Sequence, residues 1–389
     1  MKIATIDDLH ADGGWRVFSF LKITTDAGIV GWSEYNESYG SRGVTAAIRA
    51  LAPQLIGADP RNVEALSARL QQLTRQAAGG VNQQAIAAIE HALLDVKAKA
   101  LGVPVYELFG GPLRTRIDVY FSHCGTYRFR RAADIGVPPI ASLDDVRALG
   151  REVAQRGFRA LKTNIFRFDA AVPYVYGSGP SDGYPDTNVD RALLRAVEEE
   201  LAAFAEGAGP DVGLMLDLNF NFKTDGYLQV ARAVEPFGLR WLELDLFDPA
   251  AVAQIRRGAR VPIASGESIY GRVDFKPYFE AHALDVAVVD VVWNGYLEAL
   301  RIAVLADTFG VNVAPHNFYG PLADLITANF CATIPNFRLM EIDGDTVPWK
   351  NELVDRPSQL AGGALVLPDR PGWGADVNEE AVRAYPARR

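Results

Sequence analysis

The sequence predicts an α/β protein: an N-terminal α+β capping domain over residues 1–115, then a parallel eight-stranded barrel over 116–345, a modified TIM barrel of the form (β/α)7β. Three observations carry this expectation. Eight short runs rich in Val, Ile, Leu and aromatic residues follow one another from residue 117. Most intervals between them have helical character, as in DRALLRAVEEELAAFAEG and EALRIAVLADTFG, and strand and helix in alternation give a parallel, closed sheet. Six residues able to bind a metal or move a proton, Asp217, Glu243, Glu267, Asp290, His316 and Glu341, end six consecutive runs at steps of 26, 24, 23, 26 and 25 residues. One strand, one helix and two turns consume about that much chain, so all six fall at the same end of successive strands. Barrel enzymes keep their chemistry at that end.

Taken in order, residues 15 to 34 (WRVFSFLKITTDAGIVGWSE) alternate apolar and polar positions around the turn signal DAG, which predicts an antiparallel hairpin. From about 43 to 101 the pattern becomes Ala- and Leu-rich with helical periodicity, ended by Gly102 and kept ended by Pro104. Gly110, Gly111 and Pro112 mark the boundary before the barrel. The barrel runs are IDVYFSHCG, FRALKTN, GLMLDLN, LRWLELD, VPIASGE, VAVVDVV, VNVAPHN and FRLMEID. Residues 167 to 187, rich in Gly, Pro, Ser and Tyr without periodicity, form an inserted loop at the strand-end face. After residue 345 the Pro- and Gly-rich tail, 346–389, adds no repeat and is expected to return to the cap.

Composition narrows the function classes. At 389 residues, 49% of them apolar, the chain buries a large core. Its 48 acidic residues against 39 basic give a net charge of −9, which disfavours nucleic acid and anionic membrane as partners. No run approaches the ~18 uninterrupted apolar residues of a membrane span, and no secretion signal is expected. Cys124 and Cys331 match no zinc or redox spacing, so they read as ordinary thiols in a reduced cytoplasmic setting.

The chemistry begins with Asp217, Glu243 and Glu267 on adjacent strands. Three carboxylates at one rim repel one another unless a cation compensates, and an all-oxygen set suits a hard ion, Mg²⁺ or Mn²⁺, better than Zn²⁺. Asp290 and His316 end neighbouring runs; a carboxylate against one imidazole nitrogen fixes the tautomer and frees the other nitrogen for acid/base work. Lys162, ending the second run, is expected to neutralise a substrate carboxylate jointly with the metal. Glu341, if protonated, could donate to a developing enolate oxygen. His123, at the end of the first run, faces the same rim as a binding candidate, whereas His10, His91 and His282 read as structural.

With these residues the chain resembles the enolase superfamily, specifically its mandelate racemase subgroup. AIEHALLDVKAKALGVPVYELFGG resembles the cap signature, and DLN, LELD, SGES, VVD and APHNFYGPL resemble the barrel motifs in order. The resemblance implies one Mg²⁺ held by Asp217, Glu243 and Glu267, an Asp290–His316 dyad, Glu341 as the electrophile, a small-molecule carboxylate as substrate, and a homo-oligomer. One position departs from it: where the family carries Lys-X-Lys, this chain has Lys162-Thr163-Asn164. An Asn takes no proton at neutral pH, so the face opposite His316 lacks the usual second base and racemisation is not expected. Dehydration needs only one such group, with His316 removing the α-proton and then protonating the leaving hydroxyl. The expected activity is therefore a Mg²⁺-dependent acid-sugar dehydratase giving a 2-keto-3-deoxy acid. An epimerase or lactone cycloisomerase, with His123 or Tyr127 as replacement acid or base, and a non-catalytic sugar-acid-binding protein are the alternatives. Asn164, Asn219, His123, Trp15 and Tyr39 are the expected substrate-binding residues, with specificity in the cap loops around 10–20 and 35–42 and in the insertion at 167–187.

Overall fold

The first elements are three antiparallel strands, Ile3–Asp12, Val17–Thr25 and Val30–Asn36, paired in chain order. The last two are the expected hairpin. The first was hidden in the sequence by its acids: Asp7 is exposed and Asp8 half-buried, as suits an edge strand that only one neighbour pairs. Three helices follow, Val44–Leu51, Val63–Thr74 and Gly80–Leu101. The last is buried from Gln84 to Leu94 around its whole circumference and ends where Gly102 takes a left-handed conformation, φ +70°. The computed structural model describes residues 1–38, 40–177 and 187–387.

The barrel strands are Arg116–Ser122, Ala160–Thr163, Gly213–Asp217, Leu242–Glu243, Ile263–Ser265, Val286–Asp290, Asn312–His316 and Met340–Asp343. Neighbours pair in parallel from the first to the seventh, the eighth pairs the first, and a parallel bridge between Val313 and Phe337 completes the ring. Register aligns the strand ends: Asp217 sits opposite Glu243, Asp290 opposite His316, and Glu341 opposite Tyr120. Inside the ring, Tyr120, Ala160, Met215, Trp241, Ala264, Val286, Val288, Ala314 and Leu339 form a closed layer with at least one residue from or beside each strand. The barrel is thus a packed core with a solid floor under its C-terminal rim.

Among the contacts that hold cap and barrel together are two that start from buried cap residues. The buried Glu34 carboxylate, on a cap strand, accepts from the N–H groups of Gly320, Leu322 and Ala323 at the start of helix Pro321–Thr333. It answers the unsatisfied donors of a helix N-terminus from another part of the chain. The tail supplies the second. Its hairpin Gln359–Ala361/Ala364–Val366 pairs antiparallel with the first barrel strand, and buried Trp373 donates its indole N–H to the Trp32 carbonyl in the cap sheet. The 167–187 insertion opens with a short hairpin, Phe166–Arg167 against Tyr174–Val175; residues 178–186 lie outside the described residues. Both cysteines are free and buried. Among the described residues no helix is long and apolar enough to cross a membrane.

Glu200, fully buried on helix Arg191–Ala208, accepts from the Thr163 hydroxyl and the Phe166 N–H. Burial outweighs both hydrogen bonds and pushes the carboxyl up to about 8. The unfolded chain ionises near 4.5, so between these two values the folded state binds more protons and stability falls as pH rises. Glu200→Gln mimics the protonated acid. It is expected to be more stable than wild type at pH 8, by on the order of 2–4 kcal/mol at about 1.4 kcal/mol per pKa unit, with the gap closing toward pH 5. Urea unfolding of both proteins at the two pH values checks this; a pH-independent difference contradicts it.

Candidate active site

Above the barrel floor lies a cavity of about 600 Å³, lined by Lys162, Asn164, Asp217, Asn219, Glu267, His316 and Glu341 from the strand ends, by Trp15 from the cap, and by His123, Tyr127, Trp293 and Phe318 from the loops. It is the usual position for a barrel active site.

Asp217, Glu243 and Glu267 come together: one carboxylate oxygen from each lies within 4.8 Å of the other two. Asp217 is turned by Asn219, whose backbone and side-chain N–H groups both donate to its Oδ1, at 2.9 and 3.1 Å. To do so Asn219 adopts a left-handed backbone, φ +46°, a conformation Asn tolerates better than most residues. Glu243 is held from below by the Trp241 indole N–H at 2.9 Å. Burial pushes the Glu243 carboxyl up to about 8 despite the nearby Lys162, with Asp217, Glu341 and Glu267 pushing the same way. Burial likewise raises Glu267, against His316. These are carboxylates short of positive charge, and the set of hard oxygen donors fits a divalent cation such as Mg²⁺.

The imidazole of His316 makes a 2.6 Å hydrogen bond from Nδ1 to Asp290 Oδ2. Asp290 is fixed by three donors: His316, the Tyr319 hydroxyl, and the Trp293 N–H at 2.7 Å. Nε2 of His316 then faces the cavity, 3.4 Å from Glu267. Burial alone would depress this imidazole, but Glu267, Glu341 and Asp290 override it and raise it to about 10.

Lys162 lines the cavity, its buried ammonium 2.7 Å from Glu243, 3.1 Å from Glu341 and 3.4 Å from Asp217. Burial would lower it, and these carboxylates hold it well above its ordinary value. Glu341 lies beside Lys162. It accepts from the Ser122 hydroxyl, the Asn317 N–H and Lys162. Against burial, Lys162, His316 and His123 hold it below the usual carboxylate range. The three close partners of its side chain are all donors.

Asn164 is buried, its amide donating to the Asp217 carbonyl and to Asn219 while its oxygen accepts from Thr126. His123 bonds Asp343, and Trp15 packs on Tyr127 with centroids 4.4 Å apart. Tyr39 lies outside the described residues. Sequence reasoning missed Ser122, Trp293, Phe318, Tyr319 and the Arg16–Asp343 ion pair at 2.8 Å. Tyr319 and Trp293 each stand three residues past a dyad member, a spacing that could have flagged them.

Comparison with known proteins matches both parts of the chain. Residues 14–110 match the mandelate racemase / muconate lactonizing enzyme N-terminal domain, and residues 145–381, more than half the chain, match the enolase C-terminal domain-like family. The chain belongs to the enolase superfamily. Among superfamily relatives, a D-galactonate dehydratase of Ralstonia nicotianae is 32% identical across 98% of this chain and 94% of its own. A D-xylonate dehydratase of Haloferax volcanii is 28% identical across 99% of this chain and 89% of its own. A solved structure from Burkholderia xenovorans, provisionally described as an L-alanine-DL-glutamate epimerase and bound to magnesium and fumarate, is 47% identical. It superposes with a TM-score of 0.97 over 100% of this chain and 96% of that one. The chain is thus an enzyme of the enolase superfamily, with a mandelate racemase-type cap and barrel.

Proposed function

We propose that the protein is a Mg²⁺-dependent dehydratase of an acid sugar, converting an aldonate- or aldarate-type 2,3-dihydroxy acid to its 2-keto-3-deoxy acid. The observation that carries this reading is the Asp290–His316 dyad set beside the Asp217, Glu243 and Glu267 cluster at a cavity that His316, Asp217 and Glu267 line, with an amide, Asn164, in place of a base on the second strand. The acid-sugar dehydratases among its relatives support it. Asp217, Glu243 and Glu267 would hold the cation, which when bound supplies positive charge to the substrate carboxylate and to the enediolate that forms from it. His316 Nε2 removes the α-proton in its neutral form, which is favoured once Glu267, the chief charge raising it, is engaged by the cation, and Asp290 stabilises the resulting imidazolium. Lys162 works against the burial that disfavours the ionised form of Glu243, and so favours the charged donor set. The protein is taken to work as a homo-oligomer on a small carboxylate.

The test is α-keto acid formation from a panel of acid sugars with Mg²⁺. Turnover is expected on at least one of them and is expected to vanish in EDTA and return with Mg²⁺. Undiminished turnover in EDTA contradicts the cation assignment. A second reading, epimerisation, is favoured by the provisional description of the 47%-identical Burkholderia chain. It requires exchange of the α-hydrogen with solvent without loss of water.

A further inference from the structure

The cavity contains a second histidine–carboxylate pair. His123, at the end of the first barrel strand, bonds Asp343 Oδ1 through Nδ1 at 2.9 Å, as His316 bonds Asp290. The two histidines flank the eighth strand, which carries both Glu341 and Asp343. Both rings pack on Phe318, with centroids 4.9 Å away for His316 and 6.0 Å for His123, and both line the cavity.

Three features separate His123 from a passive wall residue. Its backbone is left-handed, φ +47°, which sets the direction in which the ring leaves the end of the first strand. Its ring is fixed on both sides, stacked on Tyr127 at 4.9 Å and 25° and bonded to a carboxylate that Arg16 holds in place. With Nδ1 committed to Asp343, Nε2 has no hydrogen-bond partner among the described residues, and the side chain keeps 21% of its surface exposed. The charged and titratable groups around it are Asp343 and Glu341 on the eighth strand, Arg16 from the cap, and Tyr127.

We propose that His123, oriented by Asp343, is the acid of the reaction, and that His316 is its base. This rests on the dehydratase reading and divides between two residues the proton transfers that His316 alone would otherwise perform. His316 Nε2 takes the proton from C2, and the C–H electron pair enters the enediolate. That pair then forms the C2–C3 double bond while the C3–O bond breaks with its electrons on oxygen, which takes a proton from His123 Nε2 and leaves as water. The enol left behind ketonises by gaining a proton at C3 and losing the one on its 2-hydroxyl, and exchange with solvent returns His316 to its basic and His123 to its acidic form. No oxidant or further reactant is needed, and the missing second lysine ceases to be a gap.

The test uses the Mg²⁺-loaded enzyme in D2O with an acid sugar that wild type dehydrates, following α-hydrogen exchange and α-keto acid together, and repeats the assay on the 3-deoxy-3-fluoro analogue. Fluoride departs without a proton. His123→Asn is expected to lose at least about 100-fold in water loss, the usual contribution of a general acid, while α-hydrogen exchange persists and fluoride loss falls no more than a few-fold. Persisting exchange also shows that the variant site is intact, and Asp343→Asn is expected to follow the same pattern more weakly. Equal loss of exchange, water elimination and fluoride elimination would make His123 a binding or structural residue and overturn the proposal, as would full dehydration by His123→Asn. If wild type itself eliminates no water from any acid sugar, the dehydratase reading fails first and takes the acid role with it.

Discussion

His316→Asn is expected to abolish α-hydrogen exchange and to lower kcat by about 10³-fold or more, within the range general acid–base groups contribute, without unfolding the protein. The replacement isolates one atom. An Asn amide can still donate to Asp290 Oδ2, as Nδ1 does across 2.6 Å, so Asp290 keeps a donor beside the Trp293 N–H and the Tyr319 hydroxyl. What disappears is Nε2, the atom facing Glu267 and the cavity. An alanine would instead leave a buried carboxylate short of a partner and confuse loss of chemistry with loss of stability. NMR of the substrate α-proton in D2O, beside circular dichroism of the variant, decides the matter: exchange at the wild-type rate would remove His316 from the proton path.

Much of this site was legible in the sequence, for a geometric reason. A barrel repeats its strand ends at nearly constant chain intervals, so regular steps from Asp217 to Glu341 translate directly into a common rim. The register then brought Asp217 opposite Glu243 and Asp290 opposite His316, as alternate residues of adjacent parallel strands must fall. Closure of the ring has no such signature. His123 meets Asp343 across 220 residues and Lys162 meets Glu341 because the first and eighth strands join, and periodicity gives no hint of which side chain leans toward which. The state of Glu341 was opaque for the same reason. Its carboxyl is held down by Lys162, His316 and His123, which converge on it only in three dimensions. The edge strand Ile3–Asp12 escaped notice because a strand paired on one side can carry acids that a central strand could not.

Lys162→Met should separate the electrostatics of the site from its chemistry. The ammonium lies within 3.4 Å of three carboxylates, Glu243, Glu341 and Asp217, and is buried with them. A methionine fills similar space with no charge, leaving those carboxylates and Glu267 facing one another without the cation they share. Removing one partner from a buried ion cluster costs about 3–5 kcal/mol, because the remaining charges stay desolvated and unpaired. The variant is therefore expected to lose stability of that order in EDTA. A cation held by Asp217, Glu243 and Glu267 would restore positive charge at nearly the same point, so Mg²⁺ should stabilise the variant more than wild type. Wild type already gains up to about 2.7 kcal/mol from ligand at 100 times its Kd, by mass action alone; in the variant, relief of repulsion adds to this. Urea unfolding of both proteins in EDTA and in Mg²⁺ measures the four stabilities. If Mg²⁺ shifts both proteins equally, lysine and metal do not compensate the same charges, and the carboxylate cluster would have to be assigned a different role.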